Sequence, residues 1–401
     1  MRNEWPRKKV SEIAKHSLGK MLDKAKNKGE PKPYLRNLNV RWFNFDLSDL
    51  LEMRFLPEEA AKYTAVKGDV LICEGGYPGR AAIWEHDEPI YFQKALHRVR
   101  FHEPERSKWF LYYLLAKDLD DTLKNHFNGA GIQHFTGEAL AQFEVPLPPL
   151  PEQQRIVGIL DEAFEGIATA KADAEKNLQN ARAIFESHLQ SVFSQRGKGW
   201  VETTLERVLA VQPQNGWSPP AKNHSDSGTP VLTLSSVTGF HFRPDKIKFT
   251  SASTDSRRRY WVKNGDFLMT RSNTPELVGH VAIASGITEP TIYPDLIMRM
   301  NPAPDRMMTE FLYYQMRSPS LRKEITSRAQ GANPTMKKIS NGAVRTLSIA
   351  APSIATQRAV VETLNALTAE TQRLASLYER KLAALEALKK SLLHSALGGN
   401  L

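Results

Sequence analysis

Catalysis needs particular side chains at particular spacings, and the candidates in this chain fall short of them. Its eleven histidines show no His-x-x-x-His or His-Glu-x-x-His spacing, which would turn two imidazoles toward one zinc ion. No Gly-x-x-x-x-Gly-Lys-Ser/Thr loop is present to cradle nucleotide phosphates, and no Gly-x-Gly-x-x-Gly follows a strand-like run. The Asn/Asp-Pro-Pro-Tyr/Phe loop of amino-methyltransferases is missing; Asn301-Pro302-Ala303-Pro304 and Asn333-Pro334-Thr335-Met336 both fail that pattern. Pro244-Asp245-Lys246 and Pro294-Asp295 resemble fragments of a metal-dependent nuclease core. Neither is followed by a spaced acidic-x-Lys, and Pro-Asp pairs are ordinary turn residues. A catalytic role therefore finds no support, and neither a metal site nor a cofactor of the chain's own is expected.

What the chain offers instead is positive charge. Lys and Arg number 54 against 44 Asp and Glu, a net charge of +10, which fits a polyanionic partner, most often nucleic acid. Arg257, Arg258 and Arg259 stand together as a phosphate-clamp candidate. Lys24, Lys26 and Lys28 could track a phosphate backbone or simply cover a loop. With 41% apolar and 24% charged residues over 401 positions, the composition is that of a soluble globular protein of two or three domains. A single cysteine, Cys73, excludes an internal disulfide framework and points to a reducing cytoplasm. The start, Met1-Arg2-Asn3-Glu4-Trp5-Pro6, lacks an apolar signal core, and no run of about 18 apolar residues predicts a membrane span.

The elements that must position any binding side chain are written twice. Phe-Leu-Tyr-Tyr occurs at 110–113 and again at 311–314. Trp5 pairs with Trp200, Gly68-Asp69 with Gly265-Asp266, Arg98 with Arg299, and Gly129-Ala130 with Gly331-Ala332. Gln154-Arg155 pairs with Gln357-Arg358, and Leu189 with Leu393. The offset drifts from 195 to 204, as small loop insertions would make it. A period near 200 residues is a duplicated domain rather than a solenoid unit.

Four segments follow. Residues 1–150 mix strand-like runs (Val70 to Cys73, Ala81 to Trp84) with a helical run from Lys108 to Leu123, and close on the proline-rich connector Val145 to Pro151. Residues 151–196 hold a long helix whose stripe is Ile156, Leu160, Ala163, Ile167, Ala170, Ala174, Leu178, Ala181, Phe185, Leu189 and Val192. At 1.5 Å per residue it spans roughly 60 Å. Residues 197–351 repeat the mixed domain. Residues 352–401 hold a second helix, from about Thr356 to Leu397, with the heptad seam Val360, Leu364, Leu367, Thr371, Leu374, Tyr378, Lys381, Leu385, Leu388, Leu392 and Ser395. Small residues dominate the first stripe and leucines the second, so the two are expected to pair antiparallel within the chain. The expected fold class is α+β: two mixed domains joined by an intramolecular coiled coil, with pseudo-two-fold character.

Connector, helices and repeat together resemble the specificity subunit of Type I restriction–modification enzymes. The resemblance rests on Pro146-Leu147-Pro148-Pro149-Leu150-Pro151-Glu152-Gln153-Gln154-Arg155-Ile156-Val157. It rests also on Asn177-Leu178-Gln179-Asn180-Ala181-Arg182, on Lys381 to Leu385 with Ser391-Leu392-Leu393-His394, and on the alternation of mixed domain and long helix. The second connector departs from the pattern, with Ala355 where the first has Glu152. The resemblance implies a non-catalytic reader of double-stranded DNA. Each mixed domain would be a target recognition domain for one half of a split, asymmetric site. The helices would fix the spacer and dock two methylation subunits, with two restriction subunits in the full complex. S-adenosylmethionine, ATP and Mg²⁺ would belong to those partners.

Reading bases takes Arg or Lys for guanine and Asn or Gln for adenine, on loops over a scaffold. In the first domain the candidates are Tyr77 and Arg80 in Gly75–Arg80, and Gln133 and His134 in Gly129–His134. In the second they are Arg271, Ser272 and Asn273, and Lys337 and Lys338. The competing reading is a coiled-coil assembly adaptor without DNA specificity. A nuclease or methyltransferase with unrecognised motifs is the third.

Overall fold

The computed structural model describes residues 5–23, 25–331, 333 and 335–401. Met1 to Glu4, Lys24, Ala332 and Pro334, named above, lie outside the described residues. The chain is α+β and resolves into two compact units, Met1–Glu175 with Glu379–Leu401, and Lys176–Tyr378.

In the first unit Val70–Cys73 is a fully buried strand, as four successive apolar or small side chains require. An antiparallel sheet runs Ala14–Leu18, Leu96–Phe101, Val70–Cys73, Ala81–Ile83. A second sheet runs Leu51–Phe55, Glu30–Leu35, Ile90–Phe92, Thr64–Ala65. Arg7–Lys9 pairs with Glu144–Pro146, so part of the proline-rich connector is strand. The helix Arg106–Leu119 buries Trp109 to Leu115 against this framework. It stops before the predicted Leu123 because Asp121 turns to φ 65°.

The second unit repeats the plan of these sheets. One sheet runs Leu209–Asn215, Ile297–Pro302, Phe267–Thr270, Val281–Ile283; the other runs Ile247–Thr250, Thr229–Leu232, Thr291–Ile292, Trp261–Val262, with His224–Ser225 added at its edge. Val201–Thr204 pairs with Ser348–Ala351.

Hydrogen bonds reveal what the paired residues do. Asp69 accepts from Val66 N–H (2.8 Å) and Asp266 from Lys263 N–H (2.8 Å), while Gly68 and Gly265 adopt φ 91° and 92°. Each Gly-Asp is therefore a turn that feeds the central strand. Arg98 donates to Thr64 O (2.6 Å), and Arg299 to Trp261 O (2.8 Å), the equivalent position. These repeats are architectural. The tetrapeptide is a looser guide. Tyr112 donates to Asp161 on the first long helix (2.7 Å) and Tyr314 to Asn365 on the second (2.6 Å). Trp5 packs on Trp109 as Trp200 packs on Phe311. The contacts thus align Tyr112 with Tyr314, one residue out of step with the matching letters.

The first long helix is Leu150–Ser194 and the second Ile354–Leu397. Pro151 sits inside the first turn, where a missing N–H leaves nothing unpaired. Gln153 and Gln357 are both buried and donate to the carbonyls of Pro148 (2.7 Å) and Pro352 (2.8 Å). Gln153, not Gln154, is therefore the counterpart of Gln357. Gln357 also bridges Arg306 O and Met308 N–H, whereas Gln153 Oε1 has no partner.

Of the residues expected to pair the helices, Ile156, Leu160, Ile167, Phe185, Leu189 and Leu364 are buried. Leu178, Leu367, Leu374, Tyr378, Leu385 and Leu392 are half-buried. Within the first unit the helix segments run antiparallel: Lys171 meets Glu386 (2.6 Å) and Arg155 meets Leu401 O (3.0 Å). Within the second, Phe185, Leu189 and Phe193 share a core with Val361 and Leu364. The strict heptad fails toward the C-terminus. Leu388 is 47% exposed and Lys381 is exposed, while Leu393 and Ala396 are buried. A helix of 3.6 residues per turn drifts about 20° per heptad against a 3.5 repeat, so the buried face has moved on by one position.

Candidate nucleic-acid interface

In the first unit the predicted loops meet. The turn after Val70–Cys73 is closed by Gly79 N–H to Cys73 O (2.9 Å) and Cys73 N–H to Arg80 O (2.8 Å). The glycine loop is closed by reciprocal bonds between Asn128 and His134 (2.9 and 2.8 Å), and Phe135 N–H reaches Glu74 O (2.8 Å). His134 lies over Gly75, where an added Cβ would come within 3.0 Å of its Nδ1. Asn37 donates to Gly75 O (3.0 Å) from a third segment. Sequence reasoning missed Asn37, because nothing local marks a residue 38 positions from its partner.

Tyr77 is exposed and donates to Asp118 (3.3 Å). Gln133 is exposed and His134 half-buried. Arg80 departs from the expectation: it is half-buried, lies over the Tyr77 ring at 5.0 Å and donates inward to Asn37 O (3.1 Å). It shapes the loop rather than projecting from it. Cys73 lies against the same carbonyl, and burial pushes its thiol up to about 11.

The second unit joins its two loops by backbone pairing, Ser272 with Lys338 and Asn273 with Lys337. Gln330 and Lys338 close the glycine loop reciprocally (2.8 and 2.7 Å), and Ile339 N–H bonds Arg271 O (3.0 Å). Lys338 is exposed, and Lys337 donates to Gly331 O (2.9 Å). Asn273 is half-buried and touches Thr238 Oγ1 (3.4 Å); Arg271 is half-buried with its Nε unpartnered. Ser272 corrects the expectation. It is buried, with its hydroxyl on Met336 Sδ (3.3 Å), so it fastens the loops together.

Arg257, Arg258 and Arg259 do not form one clamp. Arg257 and Arg258 both turn to Asp255 (3.1 and 3.8 Å). Arg259 instead lines a cleft of about 530 Å³ with Arg299, Arg345 and residues 210–214. The Asp255 pairs are exposed and weak, so a phosphate can compete for them. Lys26 is paired with Asp23 (3.6 Å) and Lys28 is exposed.

The two copies differ in length where these loops lie. From strand Val70–Cys73 to strand Ala81–Ile83 the offset between copies rises from 197 to 200. Across the glycine loop it rises from 202, at Asn128 and Gln330, to 204, at His134 and Lys338. Insertion is thus concentrated in the candidate loops while the anchoring bonds stay fixed.

Two buried histidines support these regions. His97 bonds Phe135 O (3.1 Å), and His280 Nδ1 accepts from Gly239 N–H (2.9 Å). Burial pushes both down to about 4. A folded pKa below the unfolded value of about 6.5 means that stability is complete above that pH and is lost as pH falls toward 4. The melting temperature is expected to decline across that window, and less steeply in His97→Gln. An unchanged slope in the variant would exclude His97 as a source.

Among the described residues no helix is long and apolar enough to cross a membrane, and no group of three or more metal-ligating side chains occurs. A family model, the Type I restriction modification DNA specificity domain, matches residues 2–178 and again 197–379. The chain is similar to the specificity subunit of the Type I restriction enzyme EcoKI of Escherichia coli K12, with 25% identity over 286 residues, 68% of this chain and 61% of that protein. The match therefore spans about three fifths of that relative's length. It is also 24% identical over 312 residues to the MjaVIII specificity subunit of Methanocaldococcus jannaschii, covering 73% and 70% of the two chains. Among solved structures, a chain from work on assembly and conformational transition of the type I R-M system superposes with a TM-score of 0.78 at 19% identity, covering 100% of this chain and 99% of that one. The HsdS subunit from Thermoanaerobacter tengcongensis gives 0.62 at 18%, covering 100% and 98%. At those identities the structural likeness is one of fold, but the family model covers most of the chain in two copies that fall on its two duplicated halves, and the protein belongs to the Type I restriction modification DNA specificity domain family.

Proposed function

We propose that this chain is the DNA-reading subunit of a Type I restriction–modification enzyme. Each mixed domain reads one half of a bipartite, asymmetric site in double-stranded DNA. The long helices set the spacer between the halves and dock two methylation subunits; two restriction subunits complete the enzyme in the cytoplasm. The chain performs no catalysis, and S-adenosylmethionine, ATP and Mg²⁺ serve the partners. The observation that carries this reading is the pairing of two loops in each copy, with length and polar residues diverging there while the backbone bonds that anchor the loops recur. Divergence concentrated in such loops is what two different half-sites demand of one scaffold.

The test is a genome-wide map of methylated adenines in cells expressing the chain with its methylation partner. Wild type should mark one bipartite sequence. The double variant Gln133→Ala/His134→Ala should relax bases in one half only, and Asn273→Ala/Lys338→Ala bases in the other. Each lost base contact is worth about 1–3 kcal/mol, roughly 5- to 150-fold in discrimination. Unmodified DNA everywhere, or both variants acting on the same half, would overturn the reading.

A further inference from the structure

The glycine loops hold one residue that the base-reading argument leaves unexplained. Ile132 is 76% exposed and Met336 is 43% exposed. Scattered apolar residues on a surface are ordinary, but these two occupy the same place in the two copies. Each loop opens with a glycine, Gly129 or Gly331. A Cβ there would lie 2.3 Å from Ile132 O in one copy and 2.6 Å from Met336 O in the other. Each loop is then closed by the reciprocal backbone bonds that follow two residues later, at His134 and Lys338. Ile132 and Met336 are thus structurally equivalent, although the second loop is two residues longer.

The neighbours change between copies and these residues keep their character. Gln133-His134 becomes Lys337-Lys338, an exchange of base-reading chemistry, while the preceding side chain stays large and apolar. A position that stays apolar beside positions that diverge does a task independent of the sequence read. Its backbone is also held firmly. Gly129 sits at φ 113° and each loop is closed by its reciprocal backbone bonds; in the second copy Ser272 holds the Met336 sulfur while Met336 stays 43% exposed. A loop closed by backbone bonds that presents an apolar side chain, flanked by hydrogen-bonding groups, has the form of a wedge that enters a base step and unstacks it.

We propose that Ile132 and Met336 are paired wedges, each inserting at a base step within its own half-site. The proposal rests on the DNA-reading function above and adds a distortion of the duplex to it. The loss of one such apolar contact should weaken binding roughly tenfold, with little change in which bases are preferred.

The test uses the complex of this chain with its methylation subunits and a duplex carrying the mapped site. 2-Aminopurine replaces, one at a time, the purines of each half-site other than the methylated adenine. Its fluorescence rises when it unstacks, and binding is followed in parallel by anisotropy. Wild type should give a several-fold rise at one step in each half-site. Ile132→Ala should abolish the rise in one half and keep it in the other, Met336→Ala should do the reverse, and Ile132→Leu should restore it. Specific binding with no rise, or a rise that survives Ile132→Ala, would overturn the wedges and leave the reading function standing. So would a variant that loses affinity for the methylation subunit while its fluorescence response is intact, since that residue then meets protein. Absence of any specific binding by wild type would remove the reading function and the wedges together.

Discussion

Asp266→Ala is expected to destabilise the second compact unit by about 3–5 kcal/mol, the range for breaking a buried ion pair from one side. Asp266 is buried and accepts from Lys263 N–H (2.8 Å), Arg299 (3.3 Å) and Asn301 (2.8 Å). The Arg299 side chain is only 13% exposed, so its charge is left poorly hydrated when the carboxylate is gone. At about 2–4 °C per kcal/mol for a unit of this size, the melting temperature should fall by roughly 6–20 °C. The matching change in the first unit, Asp69→Ala, should cost less. Asp69 is held by Arg100 (2.6 Å), whose side chain is 42% exposed and can be rehydrated. Thermal unfolding followed by circular dichroism measures both, and equal falls would show that burial of the arginine is not what separates them.

Gly216→Ala should be nearly as damaging, at about 3 kcal/mol. Gly216 ends the edge strand of the second unit, and its Cβ would sit 1.9 Å from Tyr293 O. Gly19 ends the equivalent strand of the first unit, with a Cβ 2.3 Å from the carbonyl of Gln93. Both glycines donate across to the neighbouring strand, to Ile297 O (3.2 Å) and Leu96 O (2.9 Å). Because the obstruction is backbone, relief requires the strands to part, at the upper end of the cost of overpacking. Gly265→Ala separates this from conformational strain. Gly265 has φ 92° but open space around it, so about 1 kcal/mol is expected. If denaturant midpoints fell equally for Gly216→Ala and Gly265→Ala, close approach would not be the cause.

Much of the framework was legible in the sequence because it is written in local patterns. Val70–Cys73 reads as a buried strand, and the apolar stripes of both helices read at 3- and 4-residue steps. What failed was set by distance in the chain or by small geometric drift. The heptad rule placed Leu388 in the seam because it assumes supercoiled geometry throughout. The tetrapeptide match was out of step by one residue, since letters carry no record of which tyrosine reaches the helix. Gly19 and Gly216 were missed because a close approach depends on a strand about 75 residues away. In the candidate interface the loops were found from glycines and polar residues. The inward turn of Arg80 and the burial of Ser272 were not, because loop side-chain direction follows from tertiary partners such as Asn37 and Met336.

The division of the long helices between the units bears on the order in which the molecule can be completed. The second unit is one continuous stretch, Lys176–Tyr378, whereas the first needs Glu379–Leu401 to close. Leu393 and Ala396 belong to the core that also holds Trp109 and Ile156, and the C-terminal Leu401 is tied to Arg155. Domains usually fold in the order in which they leave the ribosome. Here that order is inverted: the first unit must wait, with part of its core exposed, for residues translated after the second unit. A nascent chain truncated near residue 378 would hold a finished second unit and an unfinished first one, so premature termination leaves a protein with one compact unit built and the other open.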